Sequence, residues 1–132
     1  MGKIDDACRE VIEKLDGAIA CGVVEVETGA VLGIHCATEP VDALDGMVSA
    51  TAELLKGPHI GRIEEIAGGQ QKEGDTGYFQ EVHITSEHNC QFARTIKDGK
   101  AIVVLVTAKT TNIGMGWAHL KSIIPAIETL IL

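Results

Sequence analysis

Apolar residues recur along this chain with two different periods, and each change of period marks an element. Over residues 3–16, KIDDACREVIEKLD, the positions Ile4, Ala7, Cys8, Val11, Ile12 and Leu15 share one helical stripe, and Gly17 follows as a stop. The next stretch, AIACGVVEVETGAVLGIHC, reads as two β-rich runs joined by Glu27-Thr28-Gly29, where glycine supplies the positive φ of a tight hairpin. From Pro40 to Lys56 the helical period returns. Proline opens the first turn, Val41, Leu44, Met47, Val48, Thr51, Leu54 and Leu55 line one side, and Gly57-Pro58 closes it. Residues 57–77 are rich in glycine and charge, with IGRIEEIA as their only patterned part, and are read as a loop holding at most one short element. Then YFQEVHITSE, CQFARTI and AIVVLVTA, broken at His88-Asn89 and Asp98-Gly99, predict a three-stranded meander. A last helix, about residues 112–130, aligns Ile113, Trp117, Leu120, Ile123, Ile124, Ile127 and Ile131 toward the core. Pro125 interrupts that stripe and predicts a kink, because its ring clashes with the carbonyl one turn earlier.

Strand character orders the sheet. The least polar runs, residues 18–24 and 101–108, suit central strands covered on both faces, whereas FQEVHITSE alternates and suits an edge. Placing the first strand beside the fifth gives the order 2-1-5-4-3. The expected fold is α+β: a five-stranded antiparallel sheet with three helices, in the sequence helix-strand-strand-helix-strand-strand-strand-helix, the middle helix on the face opposite the other two. The whole chain, residues 1–132, reads as one domain, long enough to bury roughly two-thirds of the surface its unfolded form exposes.

Charge narrows the partners. With 11 Lys and Arg against 19 Asp and Glu, the net charge of −8 disfavours nucleic acid and anionic membranes, since no basic cluster offsets the field. The start MGKIDDACRE has no apolar stretch for export, and no run approaches the roughly 18 apolar residues of a membrane span. A cytoplasmic protein without membrane insertion is expected.

The candidate chemistry is thin. TAKTTNIGMGWAHL, residues 107–120, follows a strand and carries Gly114 and Gly116 where a helix begins, half of a phosphate-cradling fingerprint. The third small residue is missing, His119 standing in its place, and no glycine precedes Lys109-Thr110 to make a P-loop. The competing reading has Thr111 or Asn112 capping the helix while the glycines allow close packing on the sheet. The four cysteines, Cys8, Cys21, Cys36 and Cys90, form no CxxC pair and sit in apolar segments, as reduced core residues do. His83, His88 and Cys90, or His35-Cys36, are the nearest approach to a zinc set, but strand alternation splits them between sheet faces, and it splits His35 from Cys36 as a nucleophile pair too. No metal, cofactor or catalytic residue is therefore expected. Arg9, Arg62 and Arg94 read as solvated or ion-paired side chains, with Arg62 the freest to reach a partner's site.

The order of elements, the hairpin glycine in VEVETGAVLG, the strand VHITSEHNCQFART, the turn and strand KDGKAIVVLVTAK, and TTNIGMGWAHL opening the last helix together resemble the roadblock family of dynein light chains, in its bacterial and archaeal branch. The resemblance covers nearly the whole chain, with the glycine-rich stretch around Gly68-Gly69 as a departure. It implies a fold similar to longin and profilin-like domains, homo- or heterodimers, and a non-enzymatic role as scaffold or regulator, in some members an activator, of a Ras-like small GTPase. A structural assembly subunit with no GTPase link is the alternative, and a small ligand-sensing or enzymatic domain is a more distant one. The residues themselves add a homodimer: the edge strand offers free backbone groups, and the second helix carries an apolar stripe wider than one sheet face needs. The expected interface comprises Leu44, Met47, Val48, Thr51 and Leu55 of that helix and Phe79, Glu81, Val82 and His83 of the strand spanning Phe79 to Ser86.

Overall fold

The structure is a computed structural model that describes residues 2–37, 46, 48–51, 53 and 80–131. Helix α1 spans Lys3–Lys14, with Asp5 and Asp6 in its first turn and Lys14 in its last, each on the side the helix dipole favours. Strands β1 (Ala18–Glu25) and β2 (Val31–Cys36) form the first hairpin, and Gly29 takes φ +76° in its turn. Residues 46, 48–51 and 53 are helical and belong to the middle helix, α2. Strands β3 (Glu81–Thr85), β4 (Asn89–Ile96) and β5 (Ala101–Ala108) make the meander, and helix α3 (Ile113–Leu130) ends the fold. The predicted loop over residues 57–77 lies outside the described residues, as do the ends assigned to the middle helix.

All strand pairings are antiparallel and the sheet order is β2-β1-β5-β4-β3, as strand polarity predicts. Strand β5 is buried along seven of its eight residues, which explains its unbroken apolar sequence. Alternation divides the core into two layers. On one face Cys21, Val23, Phe92, Val103 and Leu105 meet α1 and α3 through Cys8, Val11, Leu120, Ile123 and Ile127. On the other, Ala20, Val24, Ala93, Ile102, Val104 and Val106 pack with Val48 of α2. The middle helix thus sits opposite the other two.

One detail departs from the sequence pattern. Ile113, placed on the buried stripe by its spacing, is 49% exposed, because the helix begins beyond the end of the sheet and Gly116 is the first residue to face it. Pro125 lies inside helix α3, as its place in the sequence predicts. The cap is Asn112, whose Oδ1 accepts from the Met115 N–H at 2.9 Å.

The two sheet edges differ. At β2, the absence of a side chain on Gly33 lets α1 come close: a Cβ there would stand 2.5 Å from Cγ2 of Ile4 and 2.9 Å from Oδ1 of Asp5. From this position Asp5 Oδ1 accepts the Ile34 N–H at 2.7 Å. Ala37 N–H, of opposite parity, donates inward to Ile19 at 2.7 Å, so the bond to Asp5 occupies an outward-facing donor of the edge.

Candidate interaction surface

The opposite edge, β3, is shaped by its hairpin with β4. Ser86 N–H donates to the Asn89 carbonyl at 2.8 Å, and Thr95 N–H donates to the Gln80 carbonyl at 2.9 Å. Backbone groups of even-numbered residues therefore face β4, and alternation turns those of Glu81, His83 and Thr85 outward. Among the described residues no backbone group meets this row. A free row of donors and acceptors is a template for a further strand.

Side chains alternate as well. Val82 packs into the α2-side layer. Glu81 and His83 lie on the α1/α3 face. Directly across the ladder, the Arg94 guanidinium is ion-paired with Glu81, and the Lys121 ammonium of α3 reaches the same carboxylate oxygen at 3.2 Å. Lys121 also stands 5.6 Å from the centre of the Trp117 ring. His83 lies against Phe92 with ring centroids 4.8 Å apart, and Phe92 meets Trp117 edge-on at 5.2 Å and 89°. Nε2 of His83 is buried without a hydrogen-bond partner among the described residues. An aromatic column thus runs from the edge strand across β4 to α3. The sequence reading put Glu81 and His83 at an interface but missed their inward partners. Glu81 and Arg94 are equidistant from the Ser86–Asn89 turn, so counting outward from that turn would have paired them. Lys121 comes from a distant helix, and no local signal marks it.

Of the other residues expected at the interface, Val48 is fully buried against the sheet, and Thr51 is 4% exposed with its hydroxyl bonded to Gln91 Oε1 of β4. Both hold α2 on its own sheet. Leu44, Met47, Leu55 and Phe79 lie outside the described residues, as does Arg62. The other arginines are engaged, Arg94 as described and Arg9 with Asp6 at 3.3 Å.

The glycines of the half-fingerprint have a packing role. A Cβ on Gly116 would lie 2.7 Å from Phe92 Cζ, so this glycine is what allows α3 to rest on the aromatic ring. The first-turn N–H of Met115 and that of Gly116 are both taken by Asn112. A groove of about 360 Å³ between α1 and α3 is lined by Glu10, Lys14, His119 and Ser122 among others. Three of its polar side chains are already committed: Lys14 bonds Glu10 at 2.7 Å, and the Ser122 hydroxyl donates to the His119 carbonyl at 2.7 Å. Among the described residues no group of three metal-ligating side chains converges. His88 is exposed, and Cys90 is buried with its thiol toward the Lys109 carbonyl. Cys8 and Cys21 are fully buried side by side, and a hydrogen bond with the Cys8 thiol, then burial, pushes the Cys21 pKa well above the ordinary thiol range. No helix among the described residues is long and apolar enough to cross a membrane.

A Roadblock/LC7 domain from Streptomyces avermitilis has this arrangement, with a TM-score of 0.75 over 98% of each chain at 15% identity. The fold is that of the roadblock domain. MglB from Myxococcus xanthus matches with a TM-score of 0.76 at 14% identity, over 98% of this chain and 95% of its own. Profilin from Schizosaccharomyces pombe is also similar to this chain in fold, with a TM-score of 0.53 at 13% identity over 98% of this chain and 96% of that one. No protein-family model and no curated protein matches the sequence, so the likeness to roadblock domains lies in the fold.

Proposed function

We propose that this chain is a homodimeric, non-enzymatic regulator or scaffold for a Ras-like small GTPase, acting in the cytoplasm. The observation that carries the reading is a full-length roadblock fold whose β3 edge meets no further strand among the described residues, while the opposite edge is partly occupied. In this dimer β3 pairs with its copy through the outward groups of Glu81 and His83, with Val82 beside them. Phe79 and the predicted helix residues Leu44, Met47 and Leu55 complete the contact, and Val48 and Thr51 support it from beneath. The GTPase docks on the composite surface that only the dimer presents and is regulated by positioning of its own switch segments.

GTP turnover by a candidate GTPase from the same genome tests this, with wild type, Val82→Pro and Arg62→Ala. Binding is expected to vanish with Val82→Pro, which removes a donor of the β3–β4 ladder and so distorts the edge strand that the dimer needs, and to persist with Arg62→Ala. A large loss with Arg62→Ala in an intact dimer would instead mean an inserted arginine. If no GTPase of that genome binds, a structural assembly role replaces the regulatory one.

A further inference from the structure

We propose a docking surface on the flank of α3 that faces β3, for a partner protein's segment in which carboxylates bracket an apolar side chain. It belongs to a single chain and does not rest on the homodimer proposed above. Charge along the sequence is the first reason. No Asp or Glu occurs between Asp98 and Glu128, a stretch that holds Lys100, Lys109 and Lys121, although the chain as a whole carries −8. The start of α3 and the turn before it are thus a cationic island on an acidic protein.

Packing supplies the second reason. Ile113, Trp117 and Lys121 follow one another at helical spacing along one flank of α3. Ile113 is 49% exposed and Trp117 only partly buried, so an apolar strip is left in solvent. Both ends of the strip are cationic. At one end Arg94 and Lys121 share a single oxygen of Glu81, so two positive charges meet one negative charge, and the Lys121 side chain is 50% exposed. At the other end Lys109 is exposed, and no carboxylate of the described residues pairs with it. Its backbone is held in place, the N–H donating to the His88 carbonyl at 3.1 Å. Cation, apolar strip and cation are the complement of acid, apolar residue and acid. At a rise of about 1.5 Å per residue, Ile113 to Lys121 covers about 12 Å, which an extended segment crosses in about four residues. A nucleic acid fits less well. Its phosphates offer Ile113 no apolar contact, and beyond the roughly 8–10 Å over which the island acts, a long backbone meets the field of the whole chain.

The chain has a single tryptophan, and it lies in the strip, so Trp117 emission reports binding directly. Amide NMR shifts of the intact chain locate it. Four probes are titrated: a Trp-free peptide with two leucines between pairs of glutamates, the same peptide with serines for the leucines, the same with lysines for the glutamates, and a single-stranded oligonucleotide. The glutamate–leucine peptide is expected to change Trp117 emission, to shift amides between Lys109 and Lys121, and to bind about fivefold or more tighter than the other three. Lys109→Glu, which alters no side-chain contact of the described residues, should weaken it about fivefold with an unchanged melting temperature, and Ile113→Ser should do likewise. Equal binding of the lysine peptide or the oligonucleotide, an unchanged affinity in Lys109→Glu, or shifts confined to other elements would overturn the proposal. So would the absence of binding by the glutamate–leucine peptide at millimolar concentration.

Discussion

Phe92 shows how one residue can set the distance between layers. Its ring is fully buried, has His83 on one side and Trp117 on another, and faces the backbone of α3 at Gly116. Contacts of 2.7, 3.0 and 3.1 Å await a Cβ at Gly116, and a ring held this way has no low-energy escape. Gly116→Ala should therefore destabilise the fold by about 1–3 kcal/mol despite its better helix propensity, as chemical denaturation would report. At Gly114 an added Cβ would approach only Asn112 Oδ1, at 3.3 Å, so Gly114→Ala should have a much smaller effect in the same assay. Cys21 yields a prediction in pH. The folded chain holds the thiol proton above the ordinary range, whereas the unfolded chain releases it near about pH 8.5. Its stabilising contribution is thus complete below that value and is lost as pH rises beyond it. Urea unfolding at alkaline pH should show the decline, and Cys21→Ala should flatten it.

Among the elements, α3 carries the clearest conflict between propensity and packing. Pro125 is exposed and sits well inside the helix, where it removes a backbone donor, yet the helix is held by Leu120, Ile123 and Ile127 in the core. Pro125→Ala should raise stability by about 1–3 kcal/mol, measured as a shift in the denaturant midpoint. The strands and their order are legible in the sequence because alternation and apolar runs report directly on how many faces are covered, and β5 beside β1 follows from that alone. Asn112 is legible too, since capping is a local chemistry. What escapes is non-local. Gly33 and Gly116 each admit a helix from elsewhere in the chain, and Ile113 keeps the helical period although the sheet has ended beneath it. At the candidate surface the outward row Glu81 and His83 follows from an edge strand's composition, whereas the orphaned Nε2 depends on what the three-dimensional packing leaves out.

At the scale of the whole molecule, the net charge of −8 concerns association more than folding. A basic surface on the proposed partner would be steered toward it, so the association rate should fall as salt passes roughly 0.1 M, as stopped-flow mixing would show, while a salt-independent rate would argue for an apolar contact. The other molecular consequence lies in the bond from Asp5 to Ile34. A sheet open at both rims can add copy after copy without limit and grow into a fibre, whereas one that accepts neighbours at a single rim closes after one addition. On the homodimer proposed above, the carboxylate of Asp5, laid on one outward donor of β2, would hinder the addition of a further strand at that rim. Asp5→Ala should leave the fold largely intact yet allow slow growth of higher assemblies at high protein concentration, visible as rising light scattering, while wild type stays constant.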